Sequence, residues 1–213
     1  MISNIPVLLP FKKNIYQTKN GQSITTDTKF IVDTILKEVS YNQKTVLELG
    51  SGNGIISIML AHYRPNWQIS GVEIQTHLVH LAKQNSKLAE VKVEFCNDDI
   101  KTYTGKTKFD LIVANPPYFP VLDGRISPIE ERAISRHEVK CNMLDVLNCI
   151  KRNMTESAFV IYPGSRLGEL EKNVKKVDLK IAAKFILNAE DNELNELSEQ
   201  CKKSKILVKL IHG

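Results

Sequence analysis

The sequence has few of the features that mark a secreted, metal-binding or membrane protein. Its four cysteines form no Cys-x-x-Cys pair and have no histidine at a zinc-type spacing. No apolar run approaches the roughly 18 to 20 residues of a membrane span, and the apolar start at residues 5–10 is too short for a secretory leader. We therefore expect a soluble cytoplasmic protein with reduced thiols, no metal and no membrane association.

No strong charge of one sign is present either. The formal net charge is +5; residues 1–43 carry five Lys/Arg against three Asp/Glu, and residues 151–213 carry twelve against nine. The segment between them is neutral overall. A positive rim suits a polyanionic partner such as RNA, but so small an excess is also typical of an ordinary solvated surface.

The remaining composition fits one globular domain. The chain has 213 residues, 42% of them hydrophobic and 25% charged, which is enough for a sizeable core. We divide it into a lead-in at residues 1–43 and a main domain at residues 44–213, and we expect a monomer, with a homodimer as the alternative. Within the lead-in, Thr25, Thr26 and Asp27 predict the start of a helix. Its apolar positions are Phe30, Ile31, Ile35 and Leu36.

From residue 44 onward, apolar strands alternate with helices. The predicted strands cover 45–49, 67–74, 91–96, 109–114 and 158–162, the predicted helices 55–63, 75–89 and 165–176, and a closing pair 179–187 and 205–211. Strands that are joined through helices pair in parallel, so the pattern predicts an α/β fold with a doubly wound parallel sheet. The closing pair should include an antiparallel strand.

A glycine-rich turn joins the first strand of this domain to its helix and has the sequence Gly50-Ser51-Gly52-Asn53-Gly54. Such a turn can hold either a dinucleotide or S-adenosylmethionine. The nicotinamide fingerprint is Gly-x-Gly-x-x-Gly, and here the third glycine comes one residue early. Glu48 would repel a pyrophosphate but suits the cationic amino-acid end of a sulfonium cofactor. The spacing therefore favours S-adenosylmethionine.

Acidic residues follow the next two strands. Glu73, beside Ile74, can accept hydrogen bonds from both hydroxyls of a ribose. Asp98 and Asp99 are placed to accept from an adenine amino group, and Asp99 is preferred because it precedes the apolar Ile100, which would pack beneath the ring. Each acid alone could be a solvated strand end, but acids at three successive strand ends favour a binding site.

The fourth strand of the domain runs directly into Asn115-Pro116-Pro117-Tyr118. The prolines must end the strand because neither can donate to a ladder, and ligands bind at this edge of open α/β sheets. The Asn115 side-chain oxygen and the Pro116 carbonyl could each accept one hydrogen of an exocyclic amino group, while Tyr118 could stack on a base. The alternative is an abrupt strand end with a packed tyrosine.

Together these motifs resemble the class I methyltransferases that act on amide or exocyclic amino nitrogens. The resemblance covers residues 44–118 and rests on the turn, the acids and the Asn-Pro-Pro-Tyr motif. Pro117-Tyr118-Phe119 and the later Arg132-Ala133 and Ser135-Arg136-His137-Glu138 are similar to bacterial valine-tRNA adenine-N6 methyltransferases, which modify adenosine 37 beside the anticodon. The lead-in, with Gln17, Gly21 and Thr26-Asp27, also fits that family.

The resemblance implies a Rossmann-like fold of seven strands, S-adenosylmethionine as cofactor and tRNA as partner. It implies these cofactor-binding residues: Thr26, Asp27, Glu48, Gly50, Ser51, Gly52, Gly54, Glu73, Ile74, Asp98, Asp99, Ile100 and Asn115. The implied catalytic residues are Asn115, Pro116 and Tyr118. The implied substrate-binding residues are Pro117, Tyr118, Phe119, Arg125, Arg132, Arg136 and His137.

The segment 119–140 is predicted to be a long loop. Because a loop of this length is unusual unless it contacts a substrate, we expect it to cover the target base. Its arginines are candidates for phosphate contacts, although four acids share the segment. Ser135 and Glu138 also fit a capping box for a helix that carries Val139 and Met143, and this role is favoured for Glu138. The role of His137 stays open.

Other functions compete with adenine methylation of tRNA. Protein-glutamine methyltransferases use the same Asn-Pro-Pro-Tyr, but usually with a larger N-terminal helical domain than 43 residues supply. Guanine-N2 methylation of ribosomal RNA and N6 methylation of DNA adenine also remain open. A non-catalytic RNA-binding module would be expected to lose the acids or Asn115. The acid-rich residues 188–200 would repel RNA.

Overall fold

The structure is a computed structural model. It describes residues 4–19, 26–117, 141–187 and 204–213. The strands are β1 Asn4–Leu8, β2 Asn14–Thr18, β3 Thr45–Leu49, β4 Gln68–Glu73, β5 Val93–Asn97, β6 Phe109–Ala114, β7 Met154–Pro163, β8 Leu179–Ile186 and β9 Lys205–His212. The helices are α1 Thr26–Glu38, α2 Ile55–Tyr63, α3 Thr76–Leu88, α4 Met143–Asn153 and α5 Leu167–Lys176, the last preceded by a 3-10 turn, Gly164–Arg166.

Seven strands form one sheet in the order β5-β4-β3-β6-β7-β9-β8. Strands β3 to β7 pair in parallel, whereas β9 runs antiparallel to both of its neighbours, β7 and β8. The predicted fold is therefore confirmed, including the antiparallel strand near the C-terminal end.

The core lies on both faces of the central strands. Val46 and Leu47 of β3 and Ile112 and Val113 of β6 are fully buried, as expected for apolar strands of a parallel sheet. Residues 55–61 of α2 are all buried, which is the pattern of a helix enclosed on every side. Helix α1 contributes its apolar face to the same core. No helix among the described residues is long and apolar enough to cross a bilayer.

The lead-in contains a hairpin that we did not predict. Strands β1 and β2 pair antiparallel, with Pro6 opposite Tyr16. A proline within a short apolar run argues against a strand, and for this reason the sequence pattern at residues 4–8 did not indicate one. The helix predicted after it is present as α1.

The predicted cap of α4 was wrong. The helix begins at Met143, and its capping box consists of Asn142 and Asp145, which bond each other's backbone N–H groups at 3.0 and 2.9 Å. The Ser135 and Glu138 pattern therefore does not cap this helix, and those residues lie outside the described part of the chain. Asn142 and Asp145 have the three-residue spacing of a capping box and directly precede the apolar face of the helix.

Candidate active site

Strand register brings the predicted site residues into one row at the carboxyl edge of the sheet. Leu49 is paired with Val72 on one side and Ala114 on the other, and Glu73 is paired with Asn97. The residues that follow Leu49 and Ala114 are Gly50 and Asn115. Neighbouring strands lie about 4.8 Å apart. Asp98 and Asp99, then Glu73, the glycine turn and Asn115 therefore succeed one another across β5, β4, β3 and β6.

The glycine turn has a left-handed backbone at each of its three glycines. The φ angles are 67° at Gly50, 54° at Gly52 and 83° at Gly54, a region that side chains with a Cβ rarely adopt. A Cβ at Gly50 or Gly52 would meet no atom within 4 Å, whereas one at Gly54 would lie 2.7 Å from the Phe95 ring. The first two glycines thus leave the outer side of the turn open to a ligand.

Glu73 is fixed beside this open side. Its Oε2 accepts from the Gly52 N–H at 2.9 Å, and its Oε1 accepts from the Gln75 N–H at 2.8 Å. Burial raises the pKa of Glu73, and these backbone N–H groups oppose the shift. Each carboxylate oxygen has a second lone pair. The geometry therefore leaves acceptors for two hydroxyls, as the ribose prediction requires.

Glu48, in β3 just before the turn, is bonded to helix α2. It is buried, and its Oε2 accepts from both the backbone N–H and the hydroxyl of Ser57. Ser57 belongs to the first turn of α2, whose N-cap Gly54 offers no side-chain bond. Burial raises the pKa of Glu48 to about 8. The Glu48 carboxyl group thus caps α2 and links that helix to β3, the strand that precedes the turn.

Ser51, Asp98 and Asp99 are further predicted cofactor-binding residues near this edge of the sheet. The Ser51 hydroxyl is buried and has no hydrogen-bond partner among the described residues, so a bound group could satisfy it. Asp98 Oδ1 accepts from the Asp99 N–H at 2.7 Å, and Asp99 Oδ1 accepts from the Lys101 N–H at 2.9 Å. Ile100, the next residue, is buried in the core. Both acids shape the local turn, and each keeps a second oxygen.

The acceptor side is described as far as Pro117. Asn115 and Pro117 are half-buried, and Pro116 is buried. Several predicted residues lie outside the described part of the chain. They are Tyr118, Phe119, Arg125, Arg132, Arg136 and His137.

Thr26 and Asp27 begin helix α1. Asp27 is buried, and its Oδ2 lies 3.2 Å from Lys205 Nζ. Lys205 is paired with Pro163 at the carboxyl end of β7, so Asp27 lies near the same edge of the sheet as Asn115. Burial lowers the pKa of Lys205, and the carboxylate opposes that shift. This ion-pair partner could not be inferred from the sequence.

Sequence reasoning also missed two polar residues that support the turn. Ser57 bonds Glu48, as described above, and Asn85 of α3 is fully buried. The signal for Asn85 was its position in a helical apolar row with Leu78, Leu81 and Ala82, since a polar side chain in such a row needs buried partners. Among the described residues, no group of three or more His, Cys, Asp or Glu side chains could hold a metal ion.

A family model described as methyltransferase small domain matches residues 20–131, just over half of the chain. The chain belongs to this family. Membership confirms the predicted class I methyltransferase resemblance and its cofactor, S-adenosylmethionine. The open turn, the orphaned Ser51 hydroxyl and the free lone pairs of Glu73 fit that cofactor.

Two curated relatives carry different substrates in their names. The chain is 39% identical over 80 residues to a tRNA1(Val) (adenine(37)-N6)-methyltransferase of Glaesserella parasuis, covering 37% of this chain and 34% of that protein. It is 34% identical over 92 residues to a release factor glutamine methyltransferase of Lactococcus lactis, covering 43% and 34%. The matches thus span about a third of each relative.

Solved structures show the same fold. The M. jannaschii tRNA m1G37 methyltransferase superposes with a TM-score of 0.67 at 15% identity, covering 100% of this chain and 57% of that one. At this identity the likeness concerns the fold alone.

Proposed function

We propose that this protein transfers the methyl group of S-adenosylmethionine to the N6 atom of an adenosine in tRNA, adenosine 37 of valine tRNA. The observation that carries the reaction type is the row at the sheet edge. Asn115 follows the strand next to β3, which carries the glycine turn. Asn115 and the glycine turn thus follow neighbouring strands, which supports a methyl donor in the turn and an acceptor nitrogen beside Asn115.

The residues of the turn and the neighbouring acids would hold the cofactor, which supplies an electrophilic methyl group. Glu73 accepts from the ribose with the lone pairs that Gly52 and Gln75 leave open. Asp98 or Asp99 accepts from the adenine amino group, and Ile100 packs beneath the ring. Gly50 and Gly52 permit close approach of the backbone.

Asn115 and Pro116 would prepare the acceptor nitrogen. The lone pair of an exocyclic amino group is delocalised into its ring, so attack requires the nitrogen to become more tetrahedral. The Asn115 side-chain oxygen and the Pro116 carbonyl each accept one N–H, which orients the lone pair and stabilises the charge that develops on nitrogen. Tyr118 supplies a stacking face for the base, worth roughly 1 to 3 kcal/mol.

Two kinds of observation support tRNA as the substrate. The relative from G. parasuis is named for adenosine 37, and the sequence after Tyr118 resembles that family at Arg132, Ser135 and Arg136. The positive excess at both ends of the chain suits a polyanion.

A protein-glutamine acceptor is the second candidate, and one observation favours it. Release factor glutamine methyltransferases match over more of the chain than the tRNA enzyme does, 43% against 37%. A glutamine amide is also a planar nitrogen with two hydrogens, so the same pair of acceptors would serve.

One experiment separates these substrates. The protein is incubated with methyl-labelled S-adenosylmethionine and either total tRNA, total rRNA, DNA or a release factor. We expect label in tRNA, recovered as N6-methyladenosine after digestion, and loss of label with tRNA that lacks the valine species. Label only in the release factor, as methylglutamine, would support the second candidate, and label in no substrate would reject both.

A further inference from the structure

Asn85 joins three separate segments through one side chain. Its Oδ1 accepts from the Tyr16 N–H at 2.8 Å, and its Nδ2 donates to the Tyr16 carbonyl at 2.8 Å and to the Asn53 carbonyl at 2.9 Å. Both hydrogens of the amide are therefore used. Tyr16 belongs to the N-terminal hairpin, Asn53 to the glycine turn and Asn85 to α3.

The Asn85 side chain bonds the outer edge of β2 in the way that the backbone of a neighbouring strand would. The N–H and carbonyl of Tyr16 both bond its side chain, so they point away from β1. In an antiparallel pair this is the non-hydrogen-bonded position. The opposite residue on β1 is Pro6, which has no N–H to donate. The hairpin therefore accommodates Pro6 because a residue at this position donates no N–H to the partner strand, while the outer edge of β2 is bonded to α3 through Asn85.

Two further contacts hold the hairpin against the domain. Lys13 Nζ lies 2.6 Å from a carboxylate oxygen of Glu90, just beyond α3. The Phe11 and His62 rings stack with their centroids 3.7 Å apart. Both contacts involve residues 11–13, which connect β1 to β2. The Asn85 amide, by contrast, bonds both β2 and the glycine turn.

The bond to Asn53 fixes a peptide within the cofactor turn. Asn53 lies between Gly52 and Gly54, which have positive φ angles. A peptide flanked by glycines has high conformational entropy, and ordering the turn around a ligand reduces that entropy at a cost in free energy. A buried donor aimed at the Asn53 carbonyl removes part of that freedom before the ligand binds.

We propose that Asn85 is a positioning residue that makes the N-terminal hairpin part of the cofactor site, so that the hairpin and the glycine turn open and close together. The inference rests on the proposed function, because it assumes that the turn binds S-adenosylmethionine or its product. It assigns the hairpin a role in holding the cofactor turn, although the hairpin supplies none of the predicted cofactor ligands.

The wild-type protein provides the first test. Binding of S-adenosylhomocysteine is measured by calorimetry, and amide hydrogen exchange is followed with and without it. We expect exchange at Tyr16 to slow about tenfold or more at saturation, together with exchange in the turn. Binding that protects the turn and leaves Tyr16 unchanged would overturn the inference alone. Absence of binding would overturn the proposed function and the inference with it.

Variants supply the second test. Asn85→Ser is too short to reach all three partners, and we expect it to weaken S-adenosylhomocysteine binding about tenfold or more and to abolish the protection of Tyr16. Ser86→Ala is the matched control, since the hydroxyl of this neighbouring buried residue donates to the Lys83 carbonyl at 3.0 Å and bonds no other residue in the described part of the chain. Equal affinity and equal Tyr16 protection in Asn85→Ser and the wild type would contradict the proposal. Should the variant fail to fold, the wild-type exchange measurement decides alone.

Discussion

At the scale of single residues, Asn115 has the most direct chemical role that we propose. Replacing it by alanine removes one acceptor for the amino hydrogens but leaves the turn and the acids of the cofactor site in place. We expect Asn115→Ala to lower the single-turnover rate of methyl transfer by roughly a hundredfold or more. The dissociation constant of S-adenosylmethionine should change little. Wild-type turnover in this variant would remove Asn115 from the catalytic residues.

Glu48 should give the protein a pH-dependent stability. Its folded pKa is raised from 4.5 to about 8 by burial, so the folded state holds a proton that the unfolded state releases. The free energy of unfolding should therefore fall as the pH rises from about 4.5 to about 8, by up to about 1.4 kcal/mol per pH unit. Denaturant unfolding at several pH values measures this slope.

Two glutamine substitutions test whether Glu48 causes this slope of the free energy of unfolding against pH. Glu48→Gln removes the titrating group and should flatten the profile, although Glu73, whose pKa is also raised by burial, will leave a residual slope. Glu94→Gln changes an exposed acid on β5 and should leave the profile unchanged. A profile that is equally steep in Glu48→Gln and the wild type would contradict the assignment.

For individual residues, the sequence predicted which side chains lie at the strand ends, but not the hydrogen-bond and ion-pair partners that fix them there. The positions of Glu73, Asp98 and Asn115 follow from strand boundaries, which apolar runs define well. The bonds from Ser57 to Glu48 and from Lys205 to Asp27 join elements that lie far apart or face each other only after folding. No local pattern contains that information.

At the scale of secondary-structure elements, the capping box of α4 should contribute measurably to stability. Asn142→Ala removes the acceptor of the Asp145 N–H and leaves that group without its partner. We expect a loss of about 1 kcal/mol in the free energy of unfolding. Asn148→Ala, on the exposed side of the same helix, serves as the control and should cost much less. Equal losses would show that the cap contributes nothing beyond helix propensity.

The elements differ in how well their sequences define them. β3, β6 and α2 are mostly apolar segments, and their bounds match the prediction. β7 starts four residues earlier than predicted, at Met154. There Thr155 donates to the Phe109 carbonyl at 3.0 Å, and Glu156 pairs with Lys44. Such polar strand segments are stabilised by neighbours and carry no apolar signal of their own.

At the scale of the whole molecule, the two edges of the sheet, where the parallel strands end and where they begin, differ chemically. The carboxyl edge carries the turn, the acids and Asn115, whereas α5 runs from that edge toward the opposite one, where β8 begins. Exposed lysines, Lys172, Lys175 and Lys176, lie on α5. These lysines add to the net charge and are not among the predicted substrate-binding residues.

This separation allows a test of the predicted RNA contacts by salt dependence. Each phosphate that a cationic side chain neutralises adds roughly 0.7 to 0.9 to the slope of log affinity against log salt. Replacing Arg125, Arg132 and Arg136 together by glutamine should therefore weaken tRNA binding and lower that slope by about 2 to 3. Replacing Lys172, Lys175 and Lys176 by glutamine removes the same net charge and should leave the slope nearly unchanged. Equal changes in both triple variants would mean that tRNA binding responds to net charge, and the three arginines would then lose their role as phosphate contacts.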